Sequence, residues 1–137
     1  MIRKATRADL PRISEIRAAV RENRLDDPTR VTTGICEWFL DHAAFWLWEE
    51  DGVVQGFSAG DPRDGTIFAL FVDPAFEGRG VGQLLLPLAC RTLRDAGHRV
   101  ARLDTEAATR AERFYRQNGW QDVGRKPDGQ IIFEKAI

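Results

Sequence analysis

Apolar residues recur along this chain with two different periods, and the switches between them lay out its elements. Met1 to Ala5 reads as a short opening strand. Leu10, Ile13, Ile16 and Val20 then return at helical spacing, which places them on one helix face. Thr6 or Asp9 stands where a cap is needed, and Pro11 is tolerated because it falls in the first turn. Asp26-Asp27-Pro28, within Asn23 to Arg30, signals a loop. A second short helix is expected from about Thr33 to His42, with Ile35, Trp38 and Phe39 apolar. The period then changes: Ala44 to Trp48 and Val53 to Ala59 read as strands joined by a hairpin turn at Glu50-Asp51-Gly52.

A turn at Asp61 to Gly65 leads to a strand from Thr66 to Val72. Leu84, Leu85, Leu88, Ala89 and Leu93 then mark a helix that ends near Gly97, with Pro87 inside it. A proline there removes a backbone hydrogen bond, at roughly 3 kcal/mol if nothing compensates. Val100 to Asp104 is a strand, and Thr105 is read as the cap of a last helix in which Ala107, Ala111 and Phe114 or Tyr115 share a face. Asn118-Gly119 stops that helix. Trp120 to Val123 and Ile131 to Glu134 are strands joined by a turn at Pro127-Asp128-Gly129. The order is strand, helix, helix, three strands, helix, strand, helix, two strands. Hairpins alternating with helical crossovers predict an α/β fold of the α+β type, with a mixed, helix-covered sheet.

At 137 residues the chain is expected to form one domain, residues 1–137, around one core. Lys and Arg number 20 against 21 Asp and Glu, so the basic surface of a general nucleic-acid binder is not expected. No apolar run approaches the roughly 20 residues that span a bilayer, and Met1 to Thr6 lacks the apolar core of a signal peptide. Cys36 and Cys90 are far apart, lack metal-site spacing and lie in apolar helical patterns, which reads as reduced core thiols in a cytoplasmic protein with no metal.

Chemistry concentrates in Glu77-Gly78-Arg79-Gly80-Val81-Gly82, which lies between the strand ending at Val72-Asp73-Pro74 and the helix opening at Gln83-Leu84-Leu85. Glycines at alternate positions remove the Cβ atoms that keep an anion from the backbone. The first N–H groups of the next helix lack intrahelical partners, and its dipole favours negative charge. A phosphate or pyrophosphate ligand follows. A Walker loop is excluded because Gly82-Gln83-Leu84 lacks the lysine and the hydroxyl. A dinucleotide fingerprint is disfavoured by the GxGxG spacing of Gly78, Gly80 and Gly82, and Asp104 follows a different motif.

The stretch Leu70 to Leu85 resembles the central motif of the GCN5-related N-acetyltransferases, which move acetyl groups from acetyl-CoA to amines. Gly80 and Gly82 match its Gln/Arg-x-x-Gly-x-Gly/Ala pattern, while Glu77 departs from the first position. Ala111-Glu112-Arg113-Phe114-Tyr115-Arg116-Gln117-Asn118-Gly119-Trp120 is similar to the family's Ala-x-x-Phe-Tyr-x-x-x-Gly-Phe signature, with Ala108 where an Asn is usual and Trp120 for Phe. Ile2-Arg3-Lys4-Ala5-Thr6 with Asp9 is typical of its N-termini.

The resemblance implies a mostly antiparallel sheet of about six to seven strands with a splayed parallel pair, the strands ending at Val72 and Asp104, flanked by about four helices. It implies that the pantetheine arm pairs along Phe71 and Val72 and that the pyrophosphate meets the amides of Arg79, Gly80, Val81, Gly82 and Gln83, with a possible charge contact from the Arg79 side chain. Tyr115 is implied as the acid that protonates the leaving thiolate. No general base stands out; Glu22, Glu37, Asp61 and Asp104 are carboxylates on elements able to border the acceptor cleft, and His42 and His98 read as cap or surface residues. The polar run Arg21 to Pro28, and Trp38, Trp46 and Trp48, are candidates for the acceptor side, each with a solvated-loop or core role as the alternative. The function implied is an acetyl-CoA-dependent N-acetyltransferase for a small-molecule or peptide primary amine; the alternative is a non-catalytic acyl-CoA-binding or sensing domain of the same fold. A homodimer is compatible with the family.

Overall fold

The computed structural model describes residues 1–20 and 33–137. The expected loop at 23–30, the polar run at 21–28 and Glu22 lie outside them. The first strand, β1 (Ile2–Lys4), is followed by a 3-10 turn at Arg7–Asp9 and helix α1 (Leu10–Ala19). Ile13 and Ile16 form the buried face of α1, as their spacing predicts, and Pro11 sits in the first turn. Asp9 fixes this start: its carboxylate accepts from the Thr6 N–H at 2.8 Å and from two Arg3 nitrogens at 2.8 Å. Arg3 Nε also donates to Glu49 at 2.6 Å, so one guanidinium joins β1, α1 and the second strand. Helix α2 (Thr33–His42) buries Cys36 and Phe39.

Seven strands form one sheet in the order β1-β2-β3-β4-β5-β7-β6. They are β2 (Trp46–Glu50), β3 (Val53–Asp61), β4 (Thr66–Val72), β5 (Val100–Thr105), β6 (Gln121–Arg125) and β7 (Ile131–Ala136). Helices α3 (Val81–Asp95) and α4 (Arg110–Gln117) complete the fold. Every neighbouring pair of strands is antiparallel except β4 and β5. The β2–β3 turn uses positive φ at Asp51 and Gly52, the geometry that suits a two-residue hairpin.

Strand β3 carries bulk on one face and almost none on the other. Phe57 and Ala59 join Ile13, Ile16, Phe39, Phe45 and Leu47 in a core beneath α1 and α2. Gly56, Ser58 and Gly60 face α3, whose Leu85, Ala89 and Leu93 are fully buried. A Cβ on Gly60 would stand 2.5 Å from the Ala89 carbonyl oxygen, and the Ser58 hydroxyl donates to the Leu85 carbonyl at 2.8 Å. The helix therefore lies directly on strand backbone. Pro87 falls on the exposed side of α3, facing away from the core. A second core gathers Leu86, Cys90, Leu93, Leu103, Tyr115, Trp120 and Phe133 between α3, α4 and the β5–β7 side.

The junction of β4 and β5 is minimal. One residue pair, Thr66 with Arg102, holds it, with the Arg102 N–H donating to the Gly65 carbonyl at 3.1 Å. The β3–β4 register shifts between Ala59 and Gly60, where Ala69 and Ile67 are the partners, and Phe68 is left over as a bulge. A bulge bends and twists its strand, and beyond it β4 and β5 diverge. One expectation is corrected at the end of β5. Thr105 belongs to the strand, and the cap of α4 is Thr109, whose hydroxyl accepts from the Glu112 N–H at 3.2 Å.

Candidate active site

The divergence of β4 and β5 opens a cleft of about 730 Å³, within the range of sites that hold a cofactor-sized ligand. Phe68 to Val72 form one wall, Leu103, Asp104 and Thr105 the other, and Ala111, Phe114 and Tyr115 of α4 close one side. Val20, just past the end of α1, also borders it. At the mouth lies the glycine turn. Gly80 caps α3 in the left-handed region, at φ 79°, a conformation that is strained for a residue with a Cβ. That geometry turns the chain into the helix so that the amides of Val81, Gly82 and Gln83, free of intrahelical partners, face outward. Fifteen residues of aligned peptide dipoles stand behind them.

The base of the turn is pinned from another element. Asp73 accepts from the Ala75 N–H at 2.9 Å and from Arg12 of α1 at 2.6 Å. Burial works against its ionisation, but these two contacts hold its carboxyl below the usual range. Arg12 also donates to the Val54 carbonyl at 2.8 Å. A single arginine thus locks α1, β3 and the approach to the glycine turn.

Of the residues expected to meet the donor, Phe71, Val72, Gly80, Val81, Gly82 and Gln83 line the cleft. The Arg79 side chain does not; its guanidinium lies over the Phe76 ring, 5.4 Å from the centroid. The arginine in the wall is Arg110, at the first position of α4, with Nη1 3.1 Å from a Glu77 carboxylate oxygen. Sequence reasoning passed over Arg110, although its place directly before the matched Ala111 was a usable signal.

Tyr115 is 7% exposed, packed edge-on against Trp120 and tilted against Phe133. Burial pushes its phenol well above the ordinary tyrosine range, so it carries its proton throughout the neutral region. Phe114 is half-buried and lines the cleft, with its ring 3.4 Å from the Cβ position of Gly82.

Among the described candidate bases only Asp104 reaches the cleft, where Lys126 Nζ lies 3.3 Å away. Asp61 is buried at the far end of β3 and bound twice by Arg63, which lowers its pKa. Glu37 is exposed on α2. None of Trp38, Trp46 and Trp48 lines the cleft. Trp46 donates to Thr92 at 3.0 Å, and Trp38 lies between the stacked His42 ring and the Arg63 guanidinium. His98 bonds the Pro62 carbonyl at 2.8 Å. Both cysteines are free and buried, and burial raises their thiols. Among the described residues no helix is long and apolar enough to cross a membrane, and no cluster of His, Cys, Asp or Glu is arranged to hold a metal.

A splayed parallel pair inside an otherwise antiparallel sheet, with a glycine-rich helix N-terminus at the opening, defines an acyltransferase-type fold. The model of the acetyltransferase (GNAT) family matches residues 10–120, and the chain belongs to that family. A mycothiol acetyltransferase from Propionibacterium freudenreichii subsp. shermanii is 33% identical over a match covering 66% of this chain and 33% of that protein. One from Sanguibacter keddieii is 34% identical over 57% of this chain and 28% of its own length. The chain thus spans about a third of the length of these curated relatives. Among solved structures, Ard1 from Thermoplasma volcanium superposes with a TM-score of 0.80 at 20% identity, covering 100% of this chain and 97% of its own. The protein yncA from Salmonella typhimurium, solved with its cofactor acetyl-CoA, gives 0.75 at 24% identity, covering 99% and 92%. These likenesses show the same fold.

Proposed function

We propose that this chain is an acetyl-CoA-dependent N-acetyltransferase whose acceptor is a primary amine on a small molecule or a peptide, with residues 1–137 acting as one domain. The observation that carries this reading is the joining of three parts in one cleft: the open edges of β4 and β5, the outward amides of Val81 to Gln83, and the protonated phenol of Tyr115. The donor fits these parts. The amides and helix dipole suit a pyrophosphate, and the open β4 edge at Phe71 and Val72 offers unpaired backbone groups to the amides of a pantetheine arm, in the manner of an added strand.

Acetyl-CoA, when bound, supplies an activated thioester whose C–S bond breaks as the C–N bond to the amine forms. The chain's part is to hold the two reactants in register and to move protons. Tyr115 donates its phenolic proton to the departing sulfur and is restored from solvent. Asp104, which lines the same cleft, takes the proton released by the amine, directly or through water.

Release of free CoA on addition of amine pools to the protein and acetyl-CoA is the direct test. Binding of acetyl-CoA without release for any amine would support the non-catalytic acyl-CoA-binding reading instead. Tyr115→Phe should lower kcat by about 10²-fold, the usual scale of general-acid help, while the Kd for CoA changes less than about twofold. Unchanged kcat at saturating substrates removes Tyr115 from the acid role.

A further inference from the structure

Glu77 puts a negative charge beside a site built for anions. It precedes Gly78, lines the mouth of the cleft and is 42% exposed. Its partner Arg110 comes from the start of α4, 33 residues later, and is 55% exposed. The pair is close, 3.1 Å, and Arg110 Nη2 reaches across to 3.7 Å from the Cβ position of Gly78. The guanidinium is therefore already over the glycine turn, where a phosphate bound to the amides of α3 would lie beside it. A half-exposed ion pair contributes little. A guanidinium binds phosphate through two parallel hydrogen bonds and at higher charge than it meets on one carboxylate.

We propose that Glu77 competes with the donor's pyrophosphate for Arg110. Without ligand, the carboxylate is one of the groups that hold the guanidinium over the turn. On binding, Arg110 turns from Glu77 to the pyrophosphate, so the ion pair must break before the donor gains the guanidinium. The mouth is thus set to hold the donor less tightly than its amides and arginine alone would, which speeds departure of the spent carrier. This inference rests on the CoA-dependent reading above.

The test is calorimetric titration of CoA and of dephospho-CoA into the full chain and its variants. Glu77→Gln should tighten CoA about fivefold and Arg110→Gln should weaken it about tenfold, the scale of one charge added to or removed from a partly exposed anion site. In the Arg110→Gln background, Glu77→Gln should gain less than about twofold, because the competition has lost its object. An equal gain in both backgrounds means plain repulsion and overturns the competition, as does an unchanged or weaker Glu77→Gln. Dephospho-CoA, which lacks the 3′-phosphate, should show the same pattern; loss of the Arg110 effect there moves the contact to the 3′-phosphate and overturns the pyrophosphate assignment. If the unaltered chain binds neither ligand, the functional reading falls as well. If it binds CoA and Glu77→Gln changes nothing, only this inference falls.

Discussion

Thr105 has a hydroxyl that is 2% exposed with its residue and meets no hydrogen-bond partner among the described residues. A buried hydroxyl without a partner forfeits the hydrogen bonds it had in water, whereas an apolar group of the same shape forfeits nothing. Thr105→Val keeps the β-branched shape that β5 accommodates, so it should leave stability unchanged or raise it by about 1 kcal/mol in urea unfolding. A loss of more than about 1 kcal/mol would mean that the hydroxyl is paired in solution. The same residue shows where local reading reached its limit. A threonine before a helical pattern looks like a cap, and the chain offers two, four residues apart. The distinguishing signal was Thr109-x-x-Glu112: the Glu112 N–H reaches the Thr109 hydroxyl, and the Glu112 carboxylate accepts at 2.8 Å from the N–H of Ala108, the residue before the cap. Thr105 has Ala108 at the matching position, which offers no carboxylate.

Elements were legible wherever one period ran unbroken. The extents expected from Thr33 to His42 and from Thr66 to Val72 coincide with α2 and β4, and the element order agrees throughout. The closeness of α3 to β3 was not legible, because it rests on Gly56, Ser58 and Gly60, small residues whose partner helix only the folded chain brings to them. The seat makes a sharp prediction. Gly60→Ala places a methyl group 2.5 Å from the Ala89 carbonyl oxygen, a backbone atom that cannot swing aside. The helix must shift, and overpacking of this kind costs about 1–3 kcal/mol or somewhat more. Thermal or urea unfolding should show that loss, whereas Gly52→Ala, in an open turn with nothing within 4 Å of the added methyl, loses only what its positive φ imposes. Equal stability of Gly60→Ala and the unaltered chain would mean that α3 does not rest on β3 as described.

At the scale of the molecule the sheet behaves as two smaller sheets, β1 to β4 and β5 with β7 and β6, hinged at Thr66 and Arg102 and spanned by α3. The glycine turn and the Phe114-Tyr115 helix could be placed from sequence because each is a local pattern. The bulge at Phe68 and the Glu77–Arg110 pair could not, since both arise from residues that only the folded chain brings together. The hinge implies a distribution of local stability. Past the bulge, the edge of β4 facing β5 has no strand beside it, so its amides exchange with solvent through small openings rather than global unfolding. A donor seated along that edge would close those openings. In hydrogen exchange followed by mass spectrometry, CoA at about 100 times its Kd should slow segments covering Phe68 to Val72 and Leu103 to Thr105, the two edges that face the cleft, by at least about tenfold. The β1–β2 segments should move little beyond the general stabilisation that any ligand confers, and Ile67 to Thr66, beside the hinge, should be protected with or without ligand. Protection spread evenly over the sheet would show that the ligand acts on global unfolding alone and does not seat between β4 and β5.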